Sequence, residues 1–300
     1  EPQDYIDNFR PKTGIFVTKR DSHGNATRGV IRELIDNDSA DVHVIGPFNN
    51  WGMTMAGEDK LRPVPGTRYH EGTIRGLTHG MQYRLLVNGN QRIVPSATTH
   101  TTPEWTNRME GPNNVSYLNS IFWDHDRPGA YRMQTTSVDL RAKLPVIAEE
   151  EIYELVRHWR DSHGQVGPWN IAETYKFIAE SGVIDELRRM GYNAIEFLPF
   201  NPSVDGKSWD KRYLVFGLFG PNSRYGTPDE FKQMVDTFNK AGIAVIMDAV
   251  VGHYTDRGNS GVRDLSPVGI HNFKKNDGRN VFGDQYSPWG TFRYDYNNPW

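Results

Sequence analysis

Residues 227–254, "TPDEFKQMVDTFNKAGIAVIMDAVVGHY", carry two periods back to back. Thr227-Pro228-Asp229-Glu230 reads as an N-cap, a proline at the first helical position and a capping-box glutamate. Phe231, Met234, Val235 and Phe238 recur at i, i+3, i+4 and i+7, which predicts one apolar helical face, and Ala241-Gly242 ends it. "AVIMDAVV" follows as a near-continuous apolar run, the mark of a strand covered on both faces. Asp248 stands inside that run and Gly252-His253 stop it. A carboxylate therefore sits where the pattern otherwise reads as core.

The stretch upstream explains where that carboxylate belongs. "EIYELVRHW" (151–159) and "NAIEFLPF" (193–200) read as strands. Between them "TYKFIAESGVIDELRRM" (174–190) predicts a helix with Val183, Leu187 and Met190 on one face and Gly191 as its stop. Strand, helix, strand, helix, strand with apolar strands predicts a parallel sheet covered by helices, with right-handed crossovers. Asp248 then lies near the C-terminal end of the third strand, the end at which α/β architectures bind ligands.

Residues 1–125 follow a different period. "GVIREL", "ADVHVIG", "HEGTIRGL", "MQYRLLVNG" and "QRIVPS" alternate roughly every second residue, and Gly, Asn, Asp and Pro separate them. Asn88-Gly89 is a hairpin dipeptide. Short strands at this spacing predict a β-sandwich of immunoglobulin type. Residues 126–150 lack periodicity and read as a linker, and the barrel-like part is expected over 151–300.

Composition excludes several classes. The 300 residues suit about two domains. A net charge of −3 with both signs mixed gives no footprint for nucleic acid or an anionic membrane. No stretch approaches the roughly 20 apolar residues of a membrane span. With no cysteine there is no disulfide, thiolate metal site or cysteine nucleophile, which fits a cytoplasmic protein. The N-terminus, "EPQDYIDNFR", begins with Glu and is unlike a signal peptide, so a processed product or a fragment is expected. Three Asn-x-Ser/Thr matches, at Asn25, Asn37 and Asn114, are short enough to arise by chance. His43, His70 and His79 show no metal-ligand spacing.

Taken in order, "VIGPFNNWG" (44–52), "GTIRGLTHGMQYRLLVNG" (72–89), "GVIDELRRMGYNAIEFLPF" (182–200) and "KRYLVFGLFGPNSRYGTPDEFKQMVDTFNKAGIAVIMDAVVGHY" (211–254) resemble the α-amylase family, glycoside hydrolase family 13. The likeness is strongest to its glycogen-branching and maltooligosyltrehalose trehalohydrolase-like members. It implies an N-terminal immunoglobulin-like β-sandwich, similar to a carbohydrate-binding module, followed by the first part of a (β/α)8 TIM barrel. The implied substrate is an α-1,4-glucan or maltooligosaccharide, cleaved or transferred with retention. By position Asp248 and His253 match the Asp and His that line the sugar subsite at the scissile bond, and Tyr213 matches the aromatic that stacks on that sugar. An aromatic face suits the apolar face of a pyranose, while a carboxylate and an imidazole suit its hydroxyls.

Two departures matter. The family usually has Asn before that His, where it helps bind calcium; Gly252 stands here, which argues against a calcium site, and no cofactor is expected. Retaining cleavage also needs two carboxylates about 5 to 5.5 Å apart. The resemblance puts them after the fourth and fifth strands, so no catalytic residue is expected within this chain. From Glu151 onward the chain is far shorter than the about 250 residues of a full barrel. It is expected to be the N-terminal part of a longer enzyme, inactive alone, whose partner is the rest of the barrel.

The rival reading is a glucan-binding or scaffold protein with a degenerate barrel, which Gly252 mildly supports. Trp51 is a candidate sugar platform or a core residue, and Glu196 reads as structural. The long connection 255–300 carries Phe273, Phe282, Tyr286, Trp289, Phe292, Tyr294, Tyr296 and Trp300, which read either as stacking platforms or as a cluster pinning the loop.

Overall fold

The computed structural model of the chain describes residues 13–35, 39–102, 118–142, 144–203, 212–255, 287 and 291–294. Eight strands come first: β1 (Gly14–Arg20), β2 (Ala26–Leu34), β3 (Val42–Ile45), β4 (Arg62–Pro63), β5 (Tyr69–Arg75), β6 (Gln82–Val87), β7 (Gln91–Ile93) and β8 (Ser120–Ile121). They form two antiparallel sheets, β1-β2-β5-β4 and β3-β6-β7, with β8 also on β6. The period-2 alternation does what it predicts. Ile31 and Ile74 from one sheet and Val44, Leu85 and Ile93 from the other point into a single core. Asn88 and Gly89 take positive φ (50° and 73°), and the Asn90 N–H closes the turn on the Val87 carbonyl at 3.2 Å.

The second half is parallel. Strands β9 (Ile147–Glu150), β10 (Ala194–Phe197) and β11 (Ala244–Met247) lie in the order β11-β10-β9. The expected first strand, 151–159, is instead helix α1 (Ile152–Ser162). Glu151 caps it, accepting from the Tyr153 and Glu154 N–H groups at 2.9 and 2.7 Å, and Ile152, Leu155 and Val156 recur at the helical period. The strand is one step earlier, at "IAEE", inside the stretch read as a linker.

The helix expected over 174–190 is two, α2 (Thr174–Glu180) and α3 (Val183–Arg189), parted at Ser181-Gly182. Val183 and Leu187 are buried as expected. Met190 is 66% exposed, because α3 has already ended. Helix α4 (Pro228–Lys240) begins as predicted: Thr227 Oγ1 accepts from the Glu230 N–H at 3.2 Å, and Glu230 accepts from the Thr227 N–H at 2.7 Å.

Ile195 and Phe197 pack with Met234 and Phe238 of α4, together with Ala148 and Val245. Register pairs Glu149 with Glu196 and Glu196 with Ile246, so alternation puts these three, and Asp248 two residues on, on the face away from the helices. Ile147 and Met247, on the two edge strands, are 43% and 41% exposed.

Helix α4 has a second, polar face. Asp236, fully buried, accepts from Tyr131 Oη at 2.6 Å, from the Gln134 and Thr135 N–H groups at 3.0 and 2.9 Å, and from the Thr135 hydroxyl. Asp229, two turns earlier, accepts from Arg127 at 2.5 Å, Trp123 Nε1 at 3.3 Å and the Tyr131 N–H at 3.1 Å. Residues 123–135, within and just before the aperiodic stretch, are therefore a strap tied to this helix.

Burial works against both charges, but these bonds outweigh it, holding Asp229 down to about 2 and Asp236 below the usual carboxylate range. Their contribution is complete above about pH 4 and is lost as pH falls through the folded-state values. Asp236→Ala, which strands four donors, is expected to lower the unfolding free energy by about 3 kcal/mol in denaturant titration. A loss under about 0.5 kcal/mol would mean the strap is not held there.

Candidate functional site at the strand ends

Asp248 is the first residue past β11. Its N–H donates to the Phe197 carbonyl at 3.1 Å, extending the parallel ladder by one rung and fixing where the carboxylate starts. Tyr213 arrives from the loop between β10 and α4. Its neighbour Arg212 is buried and pairs with buried Glu151 at 2.8 Å, at the end of β9. On the other side Val215 bridges Ser203, and its carbonyl accepts from the Thr255 N–H at 2.8 Å. The side chain packs against Val215, Val250 and Tyr254. So anchored, Tyr213 Oη donates to Asp248 Oδ2 at 2.9 Å.

The electrostatics keep that donor protonated. Burial first, then the Asp248 hydrogen bond and charge, then Glu149 and Glu196, push the Tyr213 phenol up to about 12. Glu196, read as structural, thus stands close enough to act on the site.

His253 sits on β12 (His253–Tyr254), which pairs antiparallel with β13 (Phe292–Arg293) and sets His253 opposite Arg293. Burial lowers its pKa, favouring the neutral imidazole at pH 7. The structure thus joins Tyr213 to Asp248 directly. It sets His253 on the adjoining ladder, next to Tyr254 of the cluster under Tyr213.

Arg212 and Glu151 escaped the sequence reading. The signal was there, since Glu151 stands where a helix N-cap belongs, but the helix behind it was read as a strand.

Trp51 lies half-buried beside a surface groove of ≈ 1110 Å³ with Phe48, Arg75, His79 and Gln82. Tyr294 rests 5.0 Å from the Tyr254 ring, and Phe292 is on β13. Phe273, Phe282, Tyr286, Trp289, Tyr296 and Trp300 lie outside the described residues, as do Asn37 and Asn114. Among the described residues no group of three His, Cys, Asp or Glu side chains could hold a metal ion.

The buried pair makes a sharp prediction. Arg212→Ala leaves Glu151 as an uncompensated buried charge and should reduce unfolding free energy by about 3 to 5 kcal/mol. An unchanged denaturation midpoint would remove the pair as the anchor of Tyr213.

No protein-family model matches the chain. Sequence relatives do. The 1,4-alpha-glucan branching enzyme of Paramagnetospirillum magneticum is 36% identical over 280 residues, covering 89% of this chain and 33% of that enzyme. The branching enzyme of Leifsonia xyli subsp. xyli is 28% identical over 263 residues, covering 86% and 31%. The chain spans about a third of the length of the curated relatives it matches. In fold it is similar to a Salmonella typhimurium protein assigned as an alpha amylase, at a TM-score of 0.60 and 20% identity, over 95% of this chain and 39% of that one. The chain is a relative of the 1,4-alpha-glucan branching enzymes and resembles the α-amylase family, glycoside hydrolase family 13.

Proposed function

We propose that the whole protein acts on α-1,4-glucans by the retaining route, as a hydrolase or a branching-type glucanotransferase. In this reading Tyr213, Asp248 and His253 shape the sugar subsite at the scissile bond. The observation that carries it is the Tyr213–Asp248 hydrogen bond at the C-terminal ends of parallel strands. Tyr213 holds one carboxylate oxygen, leaving Oδ1 to accept from a sugar hydroxyl in a charge-assisted bond. The Tyr213 ring offers an apolar face to the pyranose. His253, favoured neutral, can donate from one nitrogen and accept at the other.

The catalytic carboxylates belong to the part of the barrel beyond Trp300, which is the partner that pairs with the edges β9 and β11. The 300-residue chain alone is accordingly inactive. The two-sheet order of β1–β8 supports an immunoglobulin-like sandwich over about residues 1–125. Gly252 in place of Asn supports a site without calcium, and the absence of cysteine supports a cytoplasmic protein.

A second reading, a glucan-binding protein working through the sandwich, is favoured by one feature. Asn50 and Trp51 both take left-handed φ (48° and 55°), rare for so bulky a residue as Trp, and this backbone holds Trp51 beside the groove.

The tests separate the two. In the full-length protein, Asp248→Ala should cut kcat/KM on maltooligosaccharides and amylose about 100-fold, roughly 2.7 kcal/mol of transition-state stabilisation. Unchanged turnover removes Asp248 from the site. Affinity electrophoresis in glycogen gels should show retardation that survives Asp248→Ala only if the sandwich binds independently, and in that case Trp51→Ala should abolish it.

A further inference from the structure

Two imidazoles pack edge-on against one indole where the sandwich meets α4, and a third lies close by. The Trp123 ring has His79 edge-on at 4.4 Å and His100 at 5.1 Å, with the Arg127 guanidinium 4.9 Å over it. His125 follows two residues on, and its charge state is felt by His100. The rings come from separate segments: His79 from the β5–β6 turn, His100 from beyond β7, His125 from beyond β8. Trp123 is also the first residue of the strap to reach α4, through its bond to Asp229.

The hydrogen bonding of this cluster suits neutral rings. The Asp124 N–H donates to His79 Nδ1 at 3.2 Å, and a proton on that nitrogen would set donor against donor. His100 Nδ1 and His125 Nδ1 are buried with no hydrogen-bond partner among the described residues, so an imidazolium there would have a donor and no acceptor.

The charges nearby do not compensate. His79 feels Arg127, which disfavours its charged form, and Asp124 and Asp229, which favour it. His125 faces Lys232 and Arg127 against Asp229 and Asp126, while His100 faces the other two imidazoles. Each carboxylate is already matched: Asp124 by Arg20 at 2.7 Å, Asp229 by Arg127 at 2.5 Å and Lys232 at 3.2 Å, Asp126 by Arg132 at 3.0 Å. Burial is the leading cause that lowers all three, taking His100 down to about 4.

We propose that His79, His100 and His125 form an acid-sensitive latch that clamps Trp123 while the rings are neutral and releases the strap from α4 when they take up protons. With the strap released the three imidazoles titrate near the ordinary value of about 6.5, whereas docking holds them lower. The docked state thus binds fewer protons. Docking is complete above that value and weakens as pH falls through 6.5 toward the docked values. Each participating histidine multiplies the opening constant by up to about tenfold per pH unit. Asp124, Asp229 and Asp236 all titrate below their usual range and stay ionised throughout this window.

The latch reaches the strand-end site through the same junction. Thr101 Oγ1 meets Ser223 Oγ at 2.6 Å, and Gly220 lies so close to Thr99 that a Cβ would stand 2.1 Å from its carbonyl oxygen. Opening therefore loosens the loop that carries Tyr213.

Hydrogen-exchange mass spectrometry on the protein between pH 7.5 and 5, corrected for intrinsic rates, reads the latch at the amides of residues 124–135. Exchange at imidazole C2 reads the three titrations. Amide protection should fall more than tenfold per pH unit below pH 6. His79→Gln keeps an acceptor for the Asp124 N–H but cannot titrate, and should flatten that slope by up to about tenfold per unit. Constant protection across the range, a wild-type slope in His79→Gln, or all three rings titrating near 6.5 while the strap stays protected would each overturn the proposal. If His79→Gln fails to dock at any pH, the C2 titrations of the unmodified protein still decide it.

Discussion

Helix α4 must satisfy two environments at once, and the arrangement of the second half depends on that. Met234 and Phe238 are fully buried against the parallel sheet, while Asp229 and Asp236 gather nine hydrogen-bond and ion-pair donors, seven from residues 123–135 and two from Lys232 and Lys240 of the helix itself. The hydrophobic face sets the helix on β10 and β11. The acidic face costs desolvation, which is recovered only because each buried oxygen meets an N–H, an O–H or a cation. A helix bound on both sides fixes the start of β11, and β11 fixes Asp248.

From that point the site follows from parallel pairing. In a parallel sheet all strands end on the same side, so loops leaving β9, β10 and β11 converge. Glu151, Tyr213 and Asp248 come from three different loops, yet the Arg212–Glu151 pair and the Tyr213–Asp248 bond tie them together. The sandwich stands behind this arrangement. Val94 and Leu118 pack with Phe216, three residues past Tyr213, so the first half of the chain braces a loop of the second.

How much of this could be read from residues depends on whether the signal was local. The capping box of α4 was legible because Thr227 and Glu230 satisfy each other within one turn. Strand β9 was not. Its four residues include two glutamates, and on an edge strand nothing forces them to be apolar, so "IAEE" merged with the aperiodic stretch before it. The apolar weight of "EIYELVRHW" then drew the strand assignment forward, although its Ile152, Leu155 and Val156 spacing is helical. The strap was invisible for another reason: its partners are about a hundred residues away, and no period marks a segment held by side-chain bonds to a distant helix. Asp248 stood out as a charge in an apolar run, but only the family resemblance implied that Tyr213 lines the same subsite, and nothing in the sequence marked the hydrogen bond between them.

The central claim is that the Tyr213–Asp248 pair holds a glucose ring at the mouth of the parallel strands. A crystal structure of the full-length protein soaked with a maltooligosaccharide tests it most directly. The account predicts a pyranose lying on the Tyr213 ring, with a hydroxyl within about 3 Å of an Asp248 oxygen. Sugar found only in the Trp51 groove, with the strand ends empty, would contradict it.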